Sequence, residues 1–184
     1  NFKLYFCKQC SSTRTLFYFM LRLIIFFVIT ILYFSCDQLR TTVSMYEDVT
    51  KAAGLAFVNQ LVMTDTINPY TYRNFYNGAG VAVGDINNDG FSDIYFAGNQ
   101  VENKLFVNKG SFKFEDITVQ AGVSCPGVWS TGVTMADVNG DGWLDIYVCK
   151  SGPPGGANRN NELFINNHDL TFTEMSHEWG LDIE

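Results

Sequence analysis

The sequence predicts an all-β fold, a partial β-propeller of four-stranded antiparallel blades: about two blades and part of a third behind an N-terminal signal segment. Three observations predict it. The stretch Gly80–Tyr95 recurs as Gly132–Tyr147 with an offset of 52 residues. The block Asn103-Lys104-Leu105-Phe106-Val107-Asn108 recurs as Asn161-Glu162-Leu163-Phe164-Ile165-Asn166 with an offset of 58. A third block occurs three times: Tyr46–Thr50 leading to Gly54, Phe114–Thr118 leading to Gly122, and Phe172–Ser176 leading to Gly180. Repeats of this size, built from short alternating apolar runs, are the signature of propeller blades. A β-sandwich with a fortuitous duplication is disfavoured by the threefold recurrence.

The first residues read as an export segment. The chain of 184 residues begins with Asn1, and its first Met is Met20. Met20-Leu21-Arg22, the apolar run Leu23–Leu32 and Tyr33-Phe34-Ser35 give a charge, a hydrophobic stretch and a small residue before Cys36. Residues 1–19 are expected to lie upstream of the folded protein, 20–35 to form a signal peptide, 36–45 a linker and 46–184 the repeat region. Ser35-Cys36 resembles the lipobox of bacterial lipoproteins, which implies lipidation at Cys36 and a membrane anchor, although Tyr33 stands where Leu is usual. An uncleaved anchor helix over Leu16–Phe34 and simple secretion stay open. Cys7 and Cys10 form a lone pair with no second half of a zinc site.

Within the first unit, Ala79, Val81 and Val83 alternate with Gly80, Ala82 and Gly84. Period-two alternation of this kind is a strand signal, with small residues opposite an apolar face at a crowded axis. Strands are expected next at 93–97, 104–107 and 112–117, separated by Gly/Asn/Asp turns. The second unit has six extra residues in its Ser151–Gly156 loop, which lengthens a turn and leaves the strands intact. Propellers close with 4–8 blades, so two units and a fraction are expected to be the N-terminal piece of a longer chain. In isolation, that piece is expected to aggregate through an exposed blade face.

The chemistry lies in two nine-residue loops. Asp85, Asn87, Asp89 and Asp93 stand at positions one, three, five and nine of the first; Asp137, Asn139, Asp141 and Asp145 do so in the second. The carbonyls of Phe91 and Trp143 at position seven add a further oxygen. Calcium takes six to eight oxygen donors at ~2.3–2.6 Å in a loose geometry, so two structural Ca²⁺ sites are expected. An EF-hand would need an acidic ligand at position twelve, where Phe96 and Val148 stand. A plain Asp-Gly hairpin is the remaining alternative, but a turn needs one such residue and not four at fixed spacing twice over.

The Gly-Val-x-x-x-Asp-x-Asn-x-Asp-Gly-x-x-Asp-Ile-Tyr pattern resembles the FG-GAP or VCBS-type repeat of integrin α-subunit propellers and many exported bacterial proteins. With the two companion blocks, it is similar to bacterial relatives of cartilage acidic protein, which often carry an ASPIC/UnbV segment beyond the stretch seen here. The resemblance covers about Tyr46 to Leu181. It implies a calcium-stabilised propeller, usually of seven blades, on an exported or anchored protein, and it implies no catalytic activity.

Charge and composition narrow the function further. Outside residues 1–36, 8 basic residues stand against 19 acidic ones, net −11. Such a body lacks the clustered Lys/Arg that nucleic acid requires. Hydrophobic content of 47% excludes a disordered acidic tail. In an exported body, Cys125 and Cys149 are permitted a disulfide, though Cys149 ends an apolar run and reads equally as a small buried hydrophobe.

The first functional reading is a non-catalytic, calcium-binding adhesion or ligand module, anchored at the bacterial cell envelope as an outer-membrane or cell-surface lipoprotein and engaging glycan or protein. Its loops at 59–77 and 151–160 are long. Trp129, Trp143, Tyr70 and Tyr72 are candidates for stacking on sugars, although each is more often a packing residue. The alternatives are the propeller portion of a polysaccharide-processing enzyme, for which only His168 and His177 are in hand, and a structural subunit of an envelope complex.

Overall fold

The structure, a computed structural model, describes residues 10–36, 45–152 and 158–183, with the side chains of residues 17–30 in the first of these. The lipidation expected at Cys36, the linker over 37–44, the Cys7–Cys10 pair and the centre of the 151–160 loop lie outside what is described. The chain divides into two units at Glu47/Asp48. The first holds one helix, α1 (Cys10–Cys36), which runs unbroken across the boundary expected at Met20. Its apolar side chains from Phe17 to Ile29 are exposed. Among the described residues no helix is long and apolar enough to cross a membrane.

The second unit is two successive four-stranded antiparallel sheets, as the repeats predict. The first contains β1 (Val81–Gly84), β2 (Asp93–Phe96), β3 (Lys104–Asn108) and β4 (Phe114–Asp116). The second contains β5 (Trp129–Ala136), β6 (Asp145–Ser151), β7 (Glu162–Asn166) and β8 (Phe172–Glu174). Both are simple meanders. Val83 pairs with Ile94 in one and Met135 with Ile146 in the other; Tyr95 pairs with Leu105, and Tyr147 with Leu163. Registers that agree at equivalent positions follow from equivalent turns, because turn length sets which residues face each other. The pairing of β5 with β6 is irregular between Ser130 and Val133.

Two further pieces were not expected. The thrice-repeated block ends in a single helical turn, α2 (Thr50–Ala53) in the first copy and α3 (Thr118–Ala121) in the second. Four residues are too few for a 3.6-residue period to register.

The two sheets pack face to face. Ala82, Tyr95, Leu105 and Val107 of the first meet Ile146, Val148, Phe164 and Phe172 of the second in one buried cluster. Here β1 departs from expectation: Val81 and Val83 are 53% and 61% exposed, while Ala82 is buried. The small residues face the neighbouring sheet because nothing larger fits there. A Cβ on Gly80 would lie 2.9 Å from both the Thr131 carbonyl oxygen and the Val133 nitrogen, and one on Gly84 would lie 2.6 Å from Leu144 Cδ1. This close approach lets the Gly80 N–H donate to the Thr131 carbonyl and the Ser130 N–H to the Gly98 carbonyl, joining the sheets through backbone.

The segment preceding β1 also packs inward. Phe57 stacks on Phe96 with ring centroids 5.0 Å apart. Tyr72 and Phe75 pack against Trp129 in a second buried cluster with Leu61 and Ile67. Trp129 and Tyr72 are therefore core residues, and of the expected sugar-stacking candidates Tyr70 alone is fully exposed.

Candidate functional site

The loops at 85–93 and 137–145 join β1 to β2 and β5 to β6, and their internal hydrogen bonding is nearly superposable. In the first, the Asp85 carboxylate accepts the N–H groups of Asp89 (3.1 Å) and Gly90 (2.7 Å). In the second, Asp137 accepts those of Gly140, Asp141 and Gly142. The Asn87 side chain donates to Asp89 Oδ2 at 3.0 Å, and Asn139 to Asp141 Oδ2 at 2.7 Å. The N–H of Phe91 reaches Asp89 Oδ1, and that of Trp143 reaches Asp141 Oδ1. Gly90 and Gly142 both sit at φ +87°, in the left-handed region that a side chain disfavours, and so permit the tight turn.

Position nine is different in kind. Asp93 and Asp145 are fully buried. Each clasps its loop to the sheet with both oxygens: Asp93 accepts the N–H of Ile86 (3.0 Å) and Asn108 (2.8 Å), and Asp145 those of Val138 (3.0 Å) and Asn166 (2.8 Å). Burial pushes the Asp93 carboxyl up. Its two backbone donors pull it down, and the charges of Asp89 and Asp85 push it up again, so three carboxylates share one loop.

All ten residues expected as ligands thus fall in two hairpins, five in each. The donor set is oxygen throughout, and a carboxylate oxygen that accepts one N–H keeps a second lone pair. That chemistry fits a hard dication of calcium type. Among the described residues no three His, Cys, Asp or Glu side chains are gathered closely enough to hold a metal. The side chains as placed bond to the loops' own N–H groups, so a cation would need the Asn side chain and the position-seven carbonyl as well as the carboxylates.

Sequence reasoning missed the partners of these loops. His168 places Nε2 2.9 Å from Asp141 Oδ2 and stacks on Trp143 with centroids 4.7 Å apart. That imidazole, followed by the Trp143 N–H, holds the Asp141 carboxyl below the usual range. The equivalent of His168 in the first sheet is Gly110, which lies against the Phe91 ring. Asn108 and Asn166, the last residues of the repeated second block, pack beneath the loops; their recurrence was the available signal.

At the opposite end lies an open cleft of about 640 Å³, lined by Gln60, Val62 and Ile67 from one long loop, Ser151 and Arg159 from the other, and Gln100 and Trp129. Nearby, Cys125 and Cys149 are free thiols, so the permitted disulfide is not formed. The Cys125 Sγ–H donates to Glu162, whose other oxygen pairs with Lys150. Burial, then the Glu162 charge, pushes this thiol far above the usual range.

Residues 85–148, from the first aspartate of one loop to a point beyond the last of the other, match the FG-GAP-like repeat family. Cartilage acidic protein 1 of Xenopus tropicalis is 37% identical over 101 residues, 54% of this chain and 15% of its own length. The Homo sapiens protein of that name is 36% identical over 94 residues, 50% of this chain and 14% of its own. That of Mus musculus is 42% identical over 94 residues, 50% of this chain and 15% of its own. The chain thus spans about 15% of the length of the curated relatives it matches. Its two sheets make a partial, propeller-like all-β fold, similar over residues 85–148 to an FG-GAP-like repeat.

Proposed function

We propose that this FG-GAP-like repeat region is a calcium-stabilised, non-catalytic ligand-binding module of an exported protein, held at a bacterial cell envelope by a lipid anchor at Cys36. The observation that carries the calcium reading is the duplicated loop. The same four oxygen-bearing side chains occur twice at the same spacing in adjacent sheets, with internal hydrogen bonds that differ only in the Gly140 N–H that Asp137 accepts. Calcium acts there as a structural ion: it neutralises clustered carboxylates and clamps the β1–β2 and β5–β6 hairpins.

Ligand binding is assigned to the end opposite the loops. Residues of both long loops line one cleft there, which presents the Gln60 amide and the apolar side chains of Val62 and Ile67 to a glycan or a protein segment, while Gln100 holds the Val62 backbone through its own amide.

Two experiments test the reading. Thermal melting in calcium and in chelator tests the ion, and an unchanged melt overturns it. Glycan-array binding of the full chain, repeated with Gln60→Ala and Val62→Ala, whose exposed side chains line it, tests the cleft. Binding that is indifferent to both substitutions removes the ligand from that end.

A further inference from the structure

The 59–77 loop holds one aromatic side chain out into solvent on an ordered turn. Between Thr64 and Tyr72 the turn closes on Asn68. The Asn68 Oδ1 accepts the N–H groups of Tyr70 (2.9 Å) and Thr71 (3.2 Å), and its Nδ2 donates to the carbonyls of Thr64 (3.0 Å) and Asp65 (3.3 Å). Thr71 Oγ1 donates to the Thr66 carbonyl at 2.9 Å and accepts the Asn68 N–H at 3.0 Å. The turn is also tied to the core. Ile67 packs against the cluster of Tyr72, Phe75 and Trp129, and the Tyr72 hydroxyl meets Ser151 Oγ at 2.9 Å. Tyr70 itself is fully exposed. Its ring therefore meets a ligand with the backbone beneath it already ordered, so little conformational entropy is lost on contact.

Tyr70 borders a cleft of about 440 Å³ that also has Arg73, Asn74 and Ser151 in its walls. Ser151 and Gly152 line this cleft and the larger one alike, so the two adjoin. Its charge runs against that of the chain. Beyond residue 36 the sequence carries a net charge of −11, yet among the described residues no carboxylate lines this cleft. Arg73 is exposed and, among the described residues, its guanidinium is paired with no carboxylate. A phenol face, an unpaired guanidinium and the Asn74 amide in one cleft match a sugar that bears an anionic group. The C–H face of the sugar stacks on the aromatic ring, the guanidinium forks onto the carboxylate or sulfate, and the amide pairs with hydroxyls. An acidic peptide would engage the guanidinium and leave the phenol face without a flat partner.

We infer that Tyr70 and Arg73 form a subsite for an acidic sugar residue, with Tyr70 as the stacking platform and Arg73 as the partner of the anion. This rests on the ligand-binding reading above and narrows its ligand to a carboxylated or sulfated glycan.

The test is binding of the full chain to an array in which carboxylated and sulfated glycans stand beside their neutral forms, with oligogalacturonate and its methyl ester as the matched probes. The acid is expected to bind about 3- to 10-fold more tightly than the ester, and to weaken as salt is added. Tyr70→Ala is expected to weaken both about 3- to 10-fold, while Tyr70→Phe, which keeps the ring, stays within about twofold. Arg73→Gln is expected to abolish the preference for the acid and to leave the ester unaffected. Both side chains are exposed, so each variant should melt with the wild type, which separates lost contact from lost fold. Acidic and neutral forms bound alike overturn the subsite and leave the cleft reading standing. So does binding that falls with Gln60→Ala and Val62→Ala but not with Tyr70→Ala or Arg73→Gln. Polyglutamate bound in place of every glycan overturns the sugar assignment, and no ligand bound at all overturns both readings.

Discussion

Two aspartates of one loop are expected to fail in different ways when removed. Asp93 is fully buried and satisfies two backbone donors, the N–H groups of Ile86 and Asn108. In Asp93→Ala both lose their acceptor, at about 1–3 kcal/mol for each buried donor left unpaired. Against this, the burial that pushes the Asp93 carboxyl up shows that its charge is held at some cost, and the substitution relieves that cost. The balance is a loss of about 2–4 kcal/mol, or roughly 8–16 °C for a unit of this size. This loss is expected even in chelator, because both partners of the clasp are backbone N–H groups. Asp89 is exposed, and its partners, Asn87 and the Phe91 N–H, can turn to water. Asp89→Ala is expected to shift the chelator melt by less than about 2 °C, the ordinary range for an exposed substitution. In millimolar calcium it should instead lose one site's contribution. Melting followed by circular dichroism, with each variant in chelator and in calcium, separates the two. If Asp93→Ala melts with the wild type in chelator, the buried carboxylate is not the clasp that its geometry describes.

The remaining predictions concern other parts of the molecule. Sites of Kd ~10⁻⁴ M at about millimolar calcium contribute about 1.4 kcal/mol each, so chelating the wild type should lower its melting temperature by roughly 12 °C. Gly80→Ala should cost about 1–3 kcal/mol, since the new Cβ meets backbone atoms of Thr131 and Val133 that cannot rotate away; chemical denaturation would show it, and an unchanged midpoint would refute the close-packed junction. Cys125 should resist iodoacetamide at about pH 8.5 in the folded chain and react after urea, because its thiol stays protonated and buried; peptide mass mapping reads this directly. Trp129→Ala should destabilise by about 3–5 kcal/mol as a core truncation, whereas Tyr70→Ala should leave the melt unchanged.

Much of the fold was legible because the chain states it twice. Equal spacing between Asp85 and Asp93 and between Asp137 and Asp145 demands equal hairpins. Alternation with β-branched and aromatic residues marks the strands on either side. The face of β1 that packs was not legible. Valines and small residues alternate there, and hydrophobicity alone assigns the valines to the core. The one-turn helices were too short for their period to register. For Trp129 and Tyr72 residue type favours packing over sugar stacking, but it does not say that they pack against each other.

What residue order settles here is therefore local: which segments are strands, where the turns fall, and which side chains share a loop, since all of these depend on neighbours within about ten residues. The packed structure decides the rest. It places Gly80 and Gly84 against the second sheet, where only small residues fit, and it buries Asp93 and Asp145 beneath their loops. It also brings Asn166 to the Ile86 carbonyl across 80 residues of chain. These depend on which surfaces meet when two sheets stack, and excluded volume and buried hydrogen bonds determine that only once both sheets are present.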